Sequence, residues 1–143
     1  MVILGKLGNY TNFGLFIMRV GLGLMMIMHG YPKLAGGPVM WAGLGNSMTE
    51  MGVHFAPSFW GFMSAATEAV GGLFLVLGLW TRPVCLFLLI DMIVASFHHF
   101  HVGALQHSST QDTLNQASHA IELAFVFFGL IFLGPGRFSI DKD

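Results

Sequence analysis

The chain has 143 residues, of which 55% are hydrophobic and 9% charged, with a formal net charge of −1 and a mean hydropathy of +0.72. A soluble domain carries about a quarter charged residues, and a fold of this size cannot hide so much apolar surface from water, so an ordinary soluble domain is excluded. The near-neutral balance without a basic patch argues against a nucleic-acid partner, and the single cysteine, Cys85, rules out an internal disulfide, a CxxC redox pair or a multi-cysteine zinc site.

Four apolar stretches, roughly residues 13–29, 57–79, 83–100 and 116–133, approach the ~20 residues of a helical membrane crossing. The fold expected is all-α: an integral membrane four-helix bundle filling residues 1–143 as one domain, with no room for a second, soluble one. The first stretch reads as a retained helix and not a signal peptide, because Arg19 interrupts it and Gly30-Tyr31-Pro32-Lys33 follows in place of a small-residue cleavage site. Next, Met40, Trp41, Leu44, Met48, Met51 and Phe55 recur at helical spacing after a Gly36-Gly37-Pro38 turn, predicting a short amphipathic segment on the outer membrane surface. Cys85, in the third span, reads as a small packing residue. Gly134-Pro135-Gly136 reads as a helix stop at the inner interface.

If the spans alternate, one side holds Lys6, Arg82, Arg137 and Lys142 and the other only Lys33, so both termini are expected to be cytoplasmic, in a plasma (inner) membrane. The connections 30–56 and 101–115 then face outward. Trp41, Trp60 and Tyr31 fall at the outer interface, and Trp80 and Tyr10 at the inner one.

Inside the spans lie Arg19, Glu68, Asp91 and Glu122, one on each, roughly 10 to 17 Å from the inner end of their helices at ~1.5 Å per residue. They are expected to meet in one interior layer, since isolated charges at that depth are expensive. Their stripes agree: Arg19 with Gly23 and Met26, Glu68 with Gly61, Ala65 and Gly72, Asp91 with Ala95 and His98, Glu122 with Ser118 and Gly129. Three carboxylates and one guanidinium leave a charge of minus two, to be relieved by protonation or a bound cation. These four are the candidate catalytic set; the alternative is a network that only fixes helix register.

All seven histidines, His29, His54, His98, His99, His101, His107 and His119, fall in the outer half or outer loops. Met25, Met26, Met28, Met40, Met48, Met51 and Met63 accompany them, a combination that suits copper, whereas His98 and His119 with Glu122 or Asp91 suit iron, zinc or manganese. His119 and Glu122 are spaced i, i+3, within reach of one ion. The candidate metal ligands are therefore His98, His99, His101, His119 and Glu122, with His98 the strongest single site residue by depth. His54 and His107 are read as interfacial residues.

Several motifs in order carry a resemblance. Arg19-Val20-Gly21-Leu22-Gly23 is followed by His29-Gly30-Tyr31-Pro32-Lys33-Leu34, then Glu68-Ala69-Val70-Gly71-Gly72-Leu73 and Leu77-Gly78-Leu79-Trp80-Thr81-Arg82. Glu122 and the closing Gly134-Pro135-Gly136-Arg137-Phe138-Ser139-Ile140-Asp141 complete the series. Together they resemble the DoxX family of small bacterial and archaeal membrane proteins over almost the whole chain. The resemblance implies a four-helix inner-membrane protein, similar to the small subunit associated with thiosulfate:quinone oxidoreductase and to members of redox or oxidative-stress assemblies. It carries over Arg19, His29, Lys33, Glu68, Arg82, His98, Glu122 and Arg137 as polar site positions, with His29, Lys33 and His98 as cofactor contacts. The histidine run around His98 is richer than the family's usual pattern.

No GxGxxG, P-loop or nucleophile elbow is present. The leading expectation is a subunit or accessory of a quinone- or thiol-linked membrane redox system, with a transition metal (copper or iron) or a quinone in an interior carboxylate–histidine site. The alternatives are an outward-facing metal-handling protein and a structural or assembly partner. The expected partners are the lipid bilayer, a membrane or periplasmic redox protein, and further copies of the chain.

Overall fold

The computed structural model describes residues 5–141, with side chains from residue 8 onward. The side chain of Lys6 and the whole of Lys142, both used above to orient the chain, lie outside it. Among the described residues there is no strand. A 3-10 turn, Gly5–Tyr10, leads into five helices: α1 Thr11–Ala35, α2 Gly37–Glu50, α3 Pro57–Leu77, α4 Thr81–Leu105 and α5 Thr110–Leu133. α1, α3, α4 and α5 are long and apolar enough to cross a membrane; α1, α4 and α5 contain the spans predicted over 13–29, 83–100 and 116–133, and α3 ends two residues short of the span predicted over 57–79. α1 and α4 continue beyond the apolar stretches at their outer ends, and α5 starts earlier, because local signals set those limits. Ser109 caps α5, its hydroxyl accepting the Asp112 N–H at 3.1 Å. At the α3–α4 turn, α3 ends on Gly78 at φ +66, with the Leu79 N–H closing back on the Phe74 carbonyl at 2.9 Å. This left-handed stop favours glycine.

α1 packs on α3 through glycine, and the backbones come so close that a methyl group on Gly72 would sit 2.6 Å from the Gly23 carbonyl oxygen. α3 and α4 meet less tightly, and α4 packs closely on α5. Leu15, Met26, Leu75, Cys85, Leu88, Phe127 and Leu130 form the common core, with Cys85 the packing residue expected of it.

The structure corrects the amphipathic segment. Met40–Glu50 does form a helix, but it does not lie flat on the membrane surface. The Trp41 carbonyl rests against Gly61 and the Pro57 carbonyl against Gly45, so residue numbers rise on α2 as they fall on α3. α2 therefore continues the outward course of α1 after a break at Gly36–Gly37, where Gly37 takes φ +74. Glycine at both contacts is what lets it dock edgewise on α3.

The C-terminal segment folds back across the end that holds the α3–α4 turn. Its Ile140 and Asp141 N–H groups reach the Leu77 and Gly78 carbonyls at 3.2 and 2.9 Å, and the Arg137 N–H reaches Asn12 Oδ1 at 3.0 Å. The start of α1, the α3–α4 turn and residues 134–141 thus share one end of the molecule.

Candidate functional site

α2, α3 and α4 enclose a cavity of about 620 Å³, with Lys33 from the last turn of α1 on its floor. Lys33 Nζ donates to Glu68 Oε1 at 2.6 Å. Glu68 is carried inward by the buried face that includes Gly61, Ala65 and Gly72. Lys33 is held in place by α2, since its carbonyl accepts the Trp41 indole N–H at 3.1 Å. The second carboxylate oxygen, Glu68 Oε2, is buried without a hydrogen-bond partner, although buried polar atoms nearly always have one. Asp91 on α4, with Ser64 and Thr67 on α3, lines the same space. Two carboxylates and one ammonium therefore share one pocket.

The mouth of the cavity is bridged by a second side-chain pair. His98 Nδ1 donates to the Glu50 carboxylate, 2.9 Å from Oε2, joining the end of α2 to α4. His99 lies beside it in the lining. The walls are apolar: Phe59, Trp60, Met63, Phe87 and Ile90. Phe59, Phe87 and Ile90 also expose 52, 58 and 50% of their surface on the spanning helices α3 and α4. The cavity is thus open sideways toward lipid, with its polar groups inside and its aromatic edge outside.

The remaining predicted site residues stand elsewhere. Arg19 is buried at the inner end, where Nη1 donates to the Pro135 carbonyl at 3.2 Å, Nη2 donates to the Phe138 carbonyl and Gly78 lies against the guanidinium. The expected single layer of Arg19, Glu68, Asp91 and Glu122 is therefore not formed. Depths counted from each helix's own inner end misled, because α1 begins below α3, and Arg19 is level with the α3 C-terminus. Glu122 is exposed, since the inward stripe of α5 is Thr113, Ala117, Ala120, Phe127 and Leu130 and not Ser118, Glu122 and Gly129. His29 and His119 are exposed and face one another between α1 and α5, with ring centroids 5.7 Å apart. His101 stacks on Phe97.

The metal set His98, His99, His101, His119 and Glu122 is likewise not assembled, and among the described residues no three His, Cys, Asp or Glu side chains converge as a metal site. His98 and His99 do stay together, with ring centroids 5.9 Å apart, but His101 stacks on Phe97, and His119 and Glu122 lie on α5, which does not line the cavity. Glu50 was missed by sequence reasoning. Its one signal was to be the only acidic residue between residues 30 and 56, but pairing it with His98 requires knowing where α2 docks.

The sequence model of the DoxX family matches residues 14–101, and the chain belongs to that family. It is 26% identical over 141 residues to the inner membrane protein YphA of Escherichia coli (strain K12), covering 94% of this chain and 96% of that protein. It is 27% identical over 139 residues to an uncharacterized protein of Haemophilus influenzae (strain ATCC 51907 / DSM 11121 / KW20 / Rd), covering 97% and 96%. No solved structure matches it.

Proposed function

We propose that this multi-pass inner-membrane DoxX protein is the carrier-binding component of a membrane redox system, and that its α2–α3–α4 cavity takes a quinone-type molecule from the bilayer. The observation that carries this reading is one cavity with a polar floor and a lipid-facing aromatic edge. An amphipathic ring bearing carbonyl oxygens and an isoprenoid tail needs that combination. The volume lies within the roughly 300–1,000 Å³ of small-molecule sites, and Glu68 Oε2, which has no donor, can accept from a hydroxyl of the reduced, quinol form of such a ligand.

A bound quinone supplies two-electron, two-proton chemistry. Lys33 and His98 would hold its carbonyl oxygens, as the donors lining the cavity. Asp91 and Glu68 are the groups able to hold a proton beside them. The apolar wall of Phe59, Trp60 and Met63 excludes water from the ring. Arg82 and Arg137 stand at the end opposite the cavity mouth, and the positive-inside rule then makes both termini cytoplasmic, so that the Glu50–His98 mouth faces outward toward a redox partner protein.

Trp60 lines the cavity and provides the test. A short-tailed benzoquinone titrated into nanodisc-held protein is expected to quench tryptophan fluorescence saturably, with affinity at least tenfold weaker in Asp91→Ala and Lys33→Met. Quenching that rises linearly and is indifferent to both substitutions would overturn the reading.

A further inference from the structure

The polar residues that the cavity leaves out form a second feature. Glu122 lies 11 residues from Leu133, the last residue of α5, or about 16 Å from the inner end at ~1.5 Å per residue, near the middle of a ~30 Å hydrocarbon core. It is exposed on the outer surface of the fold, and so is His119 one turn above it. His29 of α1 stands beside His119. An ionisable group facing hydrocarbon at that depth is expensive, and membrane proteins cover such groups with protein.

We propose that this face of α5 is the contact surface of a homodimer, and that the occupant covering Glu122 is a second copy of the chain. A twofold axis along the membrane normal brings the same patch of both copies together. On this patch a donor, the His119 imidazole, and an acceptor, the Glu122 carboxylate, sit on successive turns about 4.5 Å apart along the axis. Each carboxylate can therefore meet the partner's imidazole, and the surface is complementary to itself. The shape agrees. Gly129, on the same stripe, has open space where a side chain would stand, so two backbones can approach there. Phe125 and Phe132, 73 and 70% exposed, flank the stripe and would be buried by the contact. A different partner helix would have to supply both halves of this pattern, whereas a second copy carries them already.

The test is cross-linking in native membranes. In a Cys85→Ala background, Ser118→Cys and Gly129→Cys are expected to form a disulfide-linked species of twice the chain mass on oxidation with copper–phenanthroline. Val70→Cys, on the lipid face of α3, is expected to stay monomeric. Adding Glu122→Leu is expected to lower the dimer at least tenfold. The proposal is overturned if the α5 cysteines cross-link no better than the α3 cysteine, if the product has another mass, or if Glu122→Leu changes nothing. Stepwise photobleaching of a fluorescent fusion that keeps Cys85 provides the second readout: two steps for the wild type and one for Glu122→Leu support the dimer, and one step for both overturns it.

Discussion

Two buried charges, Arg19 at the end that holds the α3–α4 turn and Glu68 near the middle of α3, sit in different surroundings. Arg19, 1% exposed, donates to two main-chain carbonyls of the segment that folds under the bundle, and its surroundings are filled by Gly78, Leu15 and the C-terminal turn. Glu68, 4% exposed, has one oxygen on Lys33, the other unpartnered, and a cavity beside it. Arg19 also leaves one buried atom, Nε, without a partner, but the cavity does not reach it, and a charge packed in this way fixes structure. One left half-satisfied next to open space invites a ligand.

Substitutions at the two sites should therefore separate stability from binding. Arg19→Leu is expected to have the largest effect on stability, about 3–5 kcal/mol for two lost charge-assisted bonds and two orphaned carbonyls. Thermal unfolding in nanodiscs measures it, and faster tryptic cleavage at Arg137 reports the freed C-terminal segment. An unchanged melting temperature would break the comparison.

Gly45→Val should come next, at about 2–3 kcal/mol, because the new side chain meets the Pro57 carbonyl and the backbone cannot yield. It should also abolish quinone quenching by lifting α2 off the cavity. At the Lys33–Glu68 pair, Lys33→Met leaves a buried carboxylate without its cation. The expected cost is about 1–3 kcal/mol, below that of a fully buried pair since the Lys33 side chain is 28% exposed. Lys33→Met combined with Glu68→Leu should recover the melting temperature while quinone affinity stays lost. Recovery of both would mean the pair only packs.

The smallest stability effect is expected for Glu50→Gln, below about 1 kcal/mol for a partly exposed carboxylate–imidazole contact. If it nevertheless weakens quinone affinity several-fold, the mouth belongs to the site. If affinity is unaltered, the site ends at Asp91.

The four spans were legible because hydropathy alone sets them, and the faces of α1 and α3 were legible because small residues repeat beside Arg19 and Glu68; on α4 the stripe that packs is Val84, Cys85, Leu88 and Met92, while Asp91, Ala95 and His98 line the cavity. The position of α2 was not legible. Its docking depends on Gly45 meeting the start of α3; Gly61 was visible in the α3 stripe, but nothing in the sequence of α2 pairs Gly45 with it, and without that docking Glu50 has no visible partner. Glu122 misled for a related reason: Ser118 and Gly129 mimic a packing stripe, while the stripe that packs, Ala117, Ala120, Phe127 and Leu130, is ordinary apolar sequence. The depth of Arg19 depended on how far α1 starts below α3, a vertical offset that no single helix encodes.

The Arg19 contacts also set an order of events in biogenesis. The two carbonyls that receive its guanidinium lie 116 and 119 residues later in the chain, and synthesis proceeds at ~5–20 residues per second. The first span must therefore wait several seconds in the membrane with this charge unsheltered. Only when the final residues leave the ribosome can the inner end close. A chain stopped before residue 135 would lack both carbonyl acceptors for this guanidinium.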